Sequence, residues 1–264
     1  VKGLISDSKK AEPLEKGILR AKHDLHVFRD GTSRFELLNA PLTHFYPREL
    51  NMSVARAHAL GYTHDAAGNP LEKDDQLVEM FTQDIVVNEG CGDWLLRSTK
   101  FVDDLLVKFY KLTPYYEAKT RDDLIGQLVI GLAPHTSAGI VGRVIGYTKT
   151  RLGWGHPYFV MCKRRNIDGD QDSVMLLMDA LLNFSHSYLS HSRGGRMDAP
   201  LVFTLALNPE EIDDEVYEME TCTRYPTTFY DKTLLYSDPK IEDVPTVKRK
   251  LGKEDQYTQI GFTH

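Results

Sequence analysis

The sequence lacks the features of zinc-binding, membrane-spanning and secreted proteins. Its three cysteines, Cys91, Cys162 and Cys222, lie far apart and form no CxxC pair, so no zinc site is predicted. No apolar run reaches about 18 residues, so no membrane span is predicted. The chain starts without a methionine or a charged leader before an apolar stretch. The absence of such a leader predicts no signal peptide. Together with the odd number of cysteines, it predicts a cytoplasmic protein with reduced thiols.

The bulk composition is that of a folded protein. The 264 residues are 41% hydrophobic and 27% charged, which is enough to bury a core and excludes global disorder. This length suits one large domain or two small ones. The two ends look like cuts in a longer polypeptide.

Acidic residues are missing from one long stretch of the chain. Residues 124–167 contain no Asp or Glu but six basic residues. Extended to Met197, the segment has eight basic residues and four aspartates, a charge of +4 in a chain of net charge −6. A basic segment on an acidic body is expected for local polyanion binding, although a cluster on a solvated face gives the same count.

Hydrophobic periodicity and turn signals predict an α+β fold with a β core and inserted helices. Helices are predicted over 53–60, 93–111, 120–132 and 172–189. Strands are predicted over 76–80, 84–87, 158–161 and 201–205. An Asp30-Gly31 turn between 25–28 and 33–37 predicts a hairpin.

The strongest chemical signal is the run KRRNIDGDQD over residues 163–172. Asn166, Asp168 and Asp170 alternate, so their side chains can converge on one side of a looped backbone, and Gly169 permits a tight curl. Two carboxylates and an amide oxygen are hard ligands that suit Mg²⁺. The basic residues before them can neutralise phosphates near the metal or support the loop through buried pairs.

Alternating aspartates also occur in calcium-binding loops and in turns that precede helices. A calcium-binding EF-hand that starts at Asp168 would need Gly and Glu where Ser173 and Asp179 stand, so that match fails. A solvated turn followed by a helix capped by Asp172 remains open on spacing alone.

Several longer blocks carry a family resemblance. They are EPLEKGILRAK (12–22), APLTH (40–44), GYTHD (61–65), GLAPHTSAG (131–139), HPYF (156–159), KRRNIDGD (163–170) and RGGRMDAPL (193–201). In order, and over nearly the whole chain, the sequence resembles the large subunit of archaeal family D DNA polymerase. One departure is Ile167, where the family pattern has Cys; its side chain is expected to point away from the metal.

The resemblance implies a double-psi β-barrel of the two-barrel polymerase type, with inserted and flanking helices. Residues 1–264 would form a single catalytic-core fragment. Barrel strands would lie at about 15–90 and 130–207, a helical insertion at about 92–130, and a C-terminal extension at about 208–264. The second barrel with its catalytic lysines would lie outside the fragment, so the fragment alone is expected to be inactive.

The resemblance also implies an activity and a set of site residues. The expected reaction is template-directed, Mg²⁺-dependent transfer of a dNTP to a primer 3′-hydroxyl, with Mn²⁺ able to substitute. Asp168 and Asp170 would be the catalytic metal ligands and Asn166 a third ligand. Nucleic-acid or phosphate contacts are expected from Lys163, Arg164, Arg165, Arg193, Arg196 and His135. A surface turn at 193–196 and a structural His135 or His156 remain open.

The expected partners are primer-template DNA, dNTP, the rest of the large subunit and a small proofreading subunit. A sliding clamp and a primase would bind through other regions, within the archaeal replisome, and no membrane is involved. Two rival functions remain open. One is a two-barrel RNA polymerase, and the other is a non-catalytic nucleic-acid-binding or assembly module, which would not need Asp168 and Asp170.

Overall fold

A computed structural model of the chain describes residues 12–165, 169–192, 194–207, 218, 225–237, 244–250 and 253. It confirms a mixed α+β fold. The strands are Phe35–Pro41 (β1), His44–Phe45 (β2), Val78–Glu79 (β3), Asp84–Asn88 (β4), Leu128–Leu132 (β5), Ala138–Thr148 (β6), Leu152–Gly155 (β7), Gln171–Leu176 (β8) and Val202–Thr204 (β9). The α-helices are Leu14–Lys22 (α1), Val54–Leu60 (α2), Glu89–Asp104 (α3), Pro157–Met161 (α4), Leu177–Asn183 (α5), Thr227–Leu234 and Val247–Lys250.

The described strands form one large mixed sheet and one small one. The large sheet has seven strands in the order β4-β7-β1-β8-β5-β6-β9, and β2 pairs only with β3. Because β4 pairs with β7 on one edge and with β6 on the other, every strand of the large sheet except β9 belongs to a closed ring. One apolar cluster draws a residue from five ring strands: Leu37, Ile85, Val129, Val144 and Val174.

The long predicted helix over 93–111 is confirmed, although it begins earlier. α3 spans Glu89–Asp104 and continues as a π-helix over Leu105–Tyr110. The Asn88 side chain accepts a hydrogen bond from the backbone N–H of Cys91 at 2.7 Å, which caps the helix before its first apolar residues. Its inner face buries Trp94, Leu95, Phe101 and Val102.

Shorter predicted elements are confirmed as well. α2 matches the helix predicted over 53–60, and the hydroxyl of Ser53 accepts from the backbone N–H of Arg56 at 3.2 Å. β4 matches the strand predicted over 84–87, and all of its residues are buried. β3 and β9 lie within the strands predicted over 76–80 and 201–205.

The helix predicted over 120–132 is wrong. The Asp123 carboxylate accepts from the backbone N–H of Thr120 at 2.8 Å, but this cap begins only a 3₁₀ turn, Arg121–Leu124. The chain then enters β5, which hydrogen-bonds to β6 on one edge and β8 on the other. Sheet pairing on both edges therefore overrides the local helical signal.

The helix predicted over 172–189 is wrong in its first part. Residues 171–176 form β8, which pairs with β1 and β5. Leu177–Asn183 are α-helical, and a 3₁₀ turn follows over His186–Tyr188. Val174 and Leu176 are buried as strand residues. Asp172 lies within the strand, so it is not a helix cap.

Two further local predictions are wrong. Residues 157–161 form α4 rather than a strand, because the ring of His156 accepts from the backbone N–H of Tyr158 and caps a helix with Pro157 in its first turn. The hairpin has only one of its strands: residues 25–28 are not a strand, and Phe28 and Thr32 are joined by a backbone hydrogen bond of 2.9 Å across the turn.

Among the described helices, none combines the length and apolar character that a membrane span requires.

Candidate functional site

Three segments meet where β5 ends and β8 begins. They are residues 133–137 after β5, residues 162–165 and 169–170 before β8, and residues 194–201 before β9. The antiparallel pairing of Leu132 with Ser173 brings the first two together. The third is attached to the first by the Ser137 hydroxyl, which donates to the Arg196 carbonyl at 3.5 Å. The candidate site is therefore built from loops on paired strands.

Lys163 lies in the interior beneath this site. Its side chain is 2% exposed, its ammonium group pairs with the Asp172 carboxylate, and its Nζ atom is 4.4 Å from the centre of the Phe159 ring. Gly131 makes room for it, because a Cβ atom there would lie 3.1 Å from Cδ of Lys163. These contacts favour the loop-supporting role that the sequence left open for Lys163, since a buried and paired ammonium group does not face solvent.

Asp170 is the member of the predicted metal-binding set that the structure describes. Its side chain is 37% exposed, and its ion-pair partner is Arg165, whose Nη1 atom lies 3.7 Å from Oδ2. The backbone is fixed, because the N–H of Asn39 in β1 donates to the Asp170 carbonyl at 2.9 Å. Gly169 has φ +102°, a conformation that glycine adopts without a Cβ clash. Asn166 and Asp168 lie outside the described residues.

Arg164 and Arg165 are placed differently from Lys163. They come directly before residues 166–170, which are called the acidic loop here. Arg165 is partly buried, and its Nη2 atom donates to the Pro134 carbonyl at 2.5 Å. Arg164 is exposed and has φ +59°. Its guanidinium group makes no hydrogen bond or ion pair to the described residues. Among the described residues, Arg165 is thus engaged with protein groups, whereas Arg164 is not.

His135 and the loop at 194–201 form one side of the site. His135 is exposed and has φ +61°, and its backbone N–H donates to the Asp198 carboxylate. Asp198 itself has φ +64°. Arg196 lies in this loop, whereas Arg193 lies outside the described residues. Sequence reasoning did not select Asp198, although it stands in the family block at 193–201.

A cavity of about 390 Å³ opens beside these loops. Its lining includes His135, Asp198, Arg29 and Gln171, the residue after Asp170. The buried ion pair of Arg34 with Asp30, 2.7 Å apart, also faces it. The cavity thus lies next to the candidate metal ligand, and charged and aromatic groups line it.

Two further buried groups have shifted pKa values. Burial, with a further contribution from nearby His44, lowers the pKa of His156 to about 4. His156 is therefore neutral at pH 7, and its cap on α4 supports the structural role that the sequence left open. Burial raises the pKa of Asp179 to about 6, against hydrogen bonds from the Ser33 backbone and the Asn183 side chain that favour its ionised form.

The described residues contain no cluster of three or more His, Cys, Asp or Glu side chains arranged to hold a metal ion. Two of the three predicted ligands are outside the described residues, so the predicted set is not tested. What is described fits a hard cation: the Asp170 carboxylate is partly exposed, and its contact with Arg165 is longer than a hydrogen bond.

Comparison with known proteins gives the family. The family described as "DNA polymerase II large subunit DP2, catalytic domain" matches residues 1–264. The DNA polymerase II large subunit of Pyrococcus furiosus is 54% identical over 266 aligned residues, covering 100% of this chain and 21% of the relative. Those of Methanococcus vannielii and Methanothermobacter thermautotrophicus are each 52% identical, covering 100% of this chain and 24% of each relative.

These matches define a class and then a family. The chain is a domain related to the large subunits of archaeal DNA polymerases. It belongs to the DNA polymerase II large subunit family, and the match is to the catalytic domain, which confirms the resemblance stated from the sequence. The chain spans less than a quarter of the length of the curated relatives named here.

Proposed function

We propose that this chain carries the metal-binding half of the active site of a DNA-directed DNA polymerase. The observation that carries the proposal is the Asp170 carboxylate, which is held at a loop junction, is partly exposed and has its Arg165 partner at 3.7 Å, beyond hydrogen-bond distance. Membership of the DNA polymerase II large subunit family supplies the reaction, the addition of dNTP to a primer 3′-hydroxyl.

The closed ring of strands supports the proposed fold. In this proposal, β1 and β4 to β8 form a double-psi β-barrel, and residues 1–264 form one catalytic-core fragment with helices inserted and flanking. Mixed pairing supports it, since β1–β7 and β4–β6 are parallel while the other ring pairs are antiparallel. The second barrel and its lysines would come from the rest of the large subunit.

In this proposal Asp168, Asp170 and Asn166 hold Mg²⁺, for which Mn²⁺ can substitute. When bound, the divalent ions lower the pKa of the primer hydroxyl and offset the charge on the leaving pyrophosphate. Arg164, Arg193 and Arg196 bind phosphates of DNA or dNTP, and His135 lines the adjoining cavity. The buried pair of Lys163 with Asp172 keeps the loop on β8, so that the carboxylates stay close together.

The proposed partners follow from the same assignment. They are primer-template DNA, dNTP, the small proofreading subunit, and a sliding clamp and primase that bind through other regions of the large subunit. The complex would act in the archaeal replisome, in the cytoplasm.

Primer extension by the full-length polymerase complex tests the proposed function. The Asp168→Ala variant should lose extension while its Kd for primer-template DNA stays near that of the wild type. Extension at a near-normal rate would reject the metal-ligand assignment. A parallel assay with rNTP separates the DNA polymerase from the two-barrel RNA polymerase, because only the latter would prefer rNTP.

A further inference from the structure

Arg165 contacts two different parts of the site at once. One end of its guanidinium group, Nη1, is 3.7 Å from the Asp170 carboxylate, and the other, Nη2, donates to the Pro134 carbonyl at 2.5 Å. The side chain is 22% exposed. Arg165 therefore bridges the acidic loop and the turn at Pro134–His135, rather than pointing into solvent.

The turn that Arg165 contacts is independently fixed. The His135 backbone N–H donates to Asp198, and the Thr136 hydroxyl donates to the Ala133 carbonyl at 2.7 Å. The turn follows directly from β5, which pairs with β8 immediately beyond the acidic loop. A side chain attached to this turn is thus attached to a rigid support.

Backbone conformation points to the same junction. His135, Arg164 and Asp198 all have positive φ values, between 59° and 64°. Non-glycine residues in this conformation are destabilised unless surrounding contacts hold them, and they concentrate at functional sites. The Nε atom of Arg165 is also buried without a hydrogen-bond partner among the described residues, an arrangement that costs stability.

We propose that Arg165 is a positioning residue, which holds the Asp170 carboxylate near the Pro134–His135 turn, a turn that lines the cavity. The inference rests on the proposed function, because it deepens the role of Asp170. It departs from a phosphate-binding role for Arg165, since both ends of the guanidinium group are directed at protein oxygens. A planar group with two separated donors can contact both at once, whereas a lysine ammonium group is a single point charge.

The test compares Arg165→Lys and Arg165→Ala in the full-length polymerase complex. The measurements are kcat, KM for dNTP, Kd for primer-template DNA and the thermal unfolding midpoint. We expect both variants to lower kcat by about tenfold or more, because small misplacements of a catalytic group are costly. KM and Kd should stay within about twofold, since phosphate binding would be unaffected. Arg97→Lys, in a surface ion pair with Asp24, is the matched control and should leave kcat unchanged.

Each other outcome overturns the inference. If Arg165→Lys keeps the wild-type kcat, a positive charge alone is sufficient and the contact of the guanidinium group with two oxygens is not needed. If KM and Kd rise while kcat holds, Arg165 binds phosphate. If Arg165→Lys fails to fold, its role is structural. Asp170→Asn measured alongside separates the two proposals: if it keeps extension, the proposed function fails, whereas if it loses extension and Arg165→Lys keeps full kcat, only the role of Arg165 fails.

Discussion

Two arginine–carboxylate pairs in this molecule differ in the hydrogen bonds that the carboxylate accepts and in its exposure to solvent. Asp84 in β4 is buried, and Arg143 donates to both of its oxygens, at 2.8 and 2.7 Å. Tyr62 donates to the same group, and burial raises the pKa of that phenol, which keeps it protonated. Asp170 is partly exposed, and its nearest arginine nitrogen is 3.7 Å away.

This difference separates carboxylates that protein groups fully engage from one with a looser contact on the same chain. The carboxylate oxygens of Asp84 accept three hydrogen bonds, and Asp172 is likewise paired with buried Lys163. Asp170 lies in the same basic segment as Asp172, but its carboxylate oxygens can still accept a further ligand. The position of a carboxylate in an acidic motif is thus less informative than whether its lone pairs are already used.

The largest expected effect on stability comes from removing one partner of a buried ion pair. Asp172→Asn leaves the Lys163 ammonium group buried without a counter-ion, which should lower the free energy of unfolding by about 3–5 kcal/mol. Urea unfolding followed by circular dichroism measures it. A loss below about 1 kcal/mol would show that the Lys163 pair is not structurally important.

A pH profile tests the buried histidine that caps α4. The pKa of His156 is lowered in the folded state to about 4 from the ordinary 6.5. Its stabilising effect is therefore complete above pH 6.5 and is lost as the pH falls towards 4, because the unfolded chain takes up a proton first. His156→Asn keeps a capping oxygen but removes this effect. The stability difference between the two proteins should thus change by up to about 3 kcal/mol over that window. A difference that is independent of pH would contradict the assignment.

The two arginine pairs can be compared directly by matched substitutions. Asp84→Asn should destabilise the fold by about 2–3 kcal/mol, because it removes a buried partner of Arg143 and Tyr62. Asp170→Asn should change stability by less than about 0.5 kcal/mol, because its ion pair is partly exposed and therefore screened by solvent. Thermal unfolding of both variants measures the contrast, and equal losses would remove the distinction.

The smallest effect on folding is expected at Arg164. This side chain is exposed, so Arg164→Ala should leave stability within about 0.5 kcal/mol of the wild type. If it binds a DNA phosphate, the slope of log K against log salt concentration should fall by about one. DNA binding by the full-length complex at several salt concentrations gives this slope, and an unchanged slope would remove Arg164 from the interface.

The sequence predicted elements best where local signals agreed with packing. Ser53 and the apolar spacing of 93–111 located α2 and α3, because cap and buried face coincide. Thr120 with Asp123 gave an equally good local signal, but the strand that follows is hydrogen-bonded on both edges. That pairing involves residues distant in sequence, so no local pattern could reveal it.

The site was predictable in composition more than in arrangement. The alternation of Asn166, Asp168 and Asp170 and the family blocks identified the acidic loop. Burial of Lys163 could not be read from three consecutive basic residues, since only the fold decides which of them points inward. The contacts of Asp198 with His135 and of Arg165 with Pro134 join distant loops, which no spacing rule specifies.

The most direct measurement is a count, by electron paramagnetic resonance, of the Mn²⁺ ions bound to the full-length large subunit. The wild type should bind at least one more ion than the Asp168→Asn/Asp170→Asn double variant. Asp93→Asn, at an exposed position on α3, should bind as many ions as the wild type. Equal counts for the wild type and the double variant would contradict a metal site at these two carboxylates.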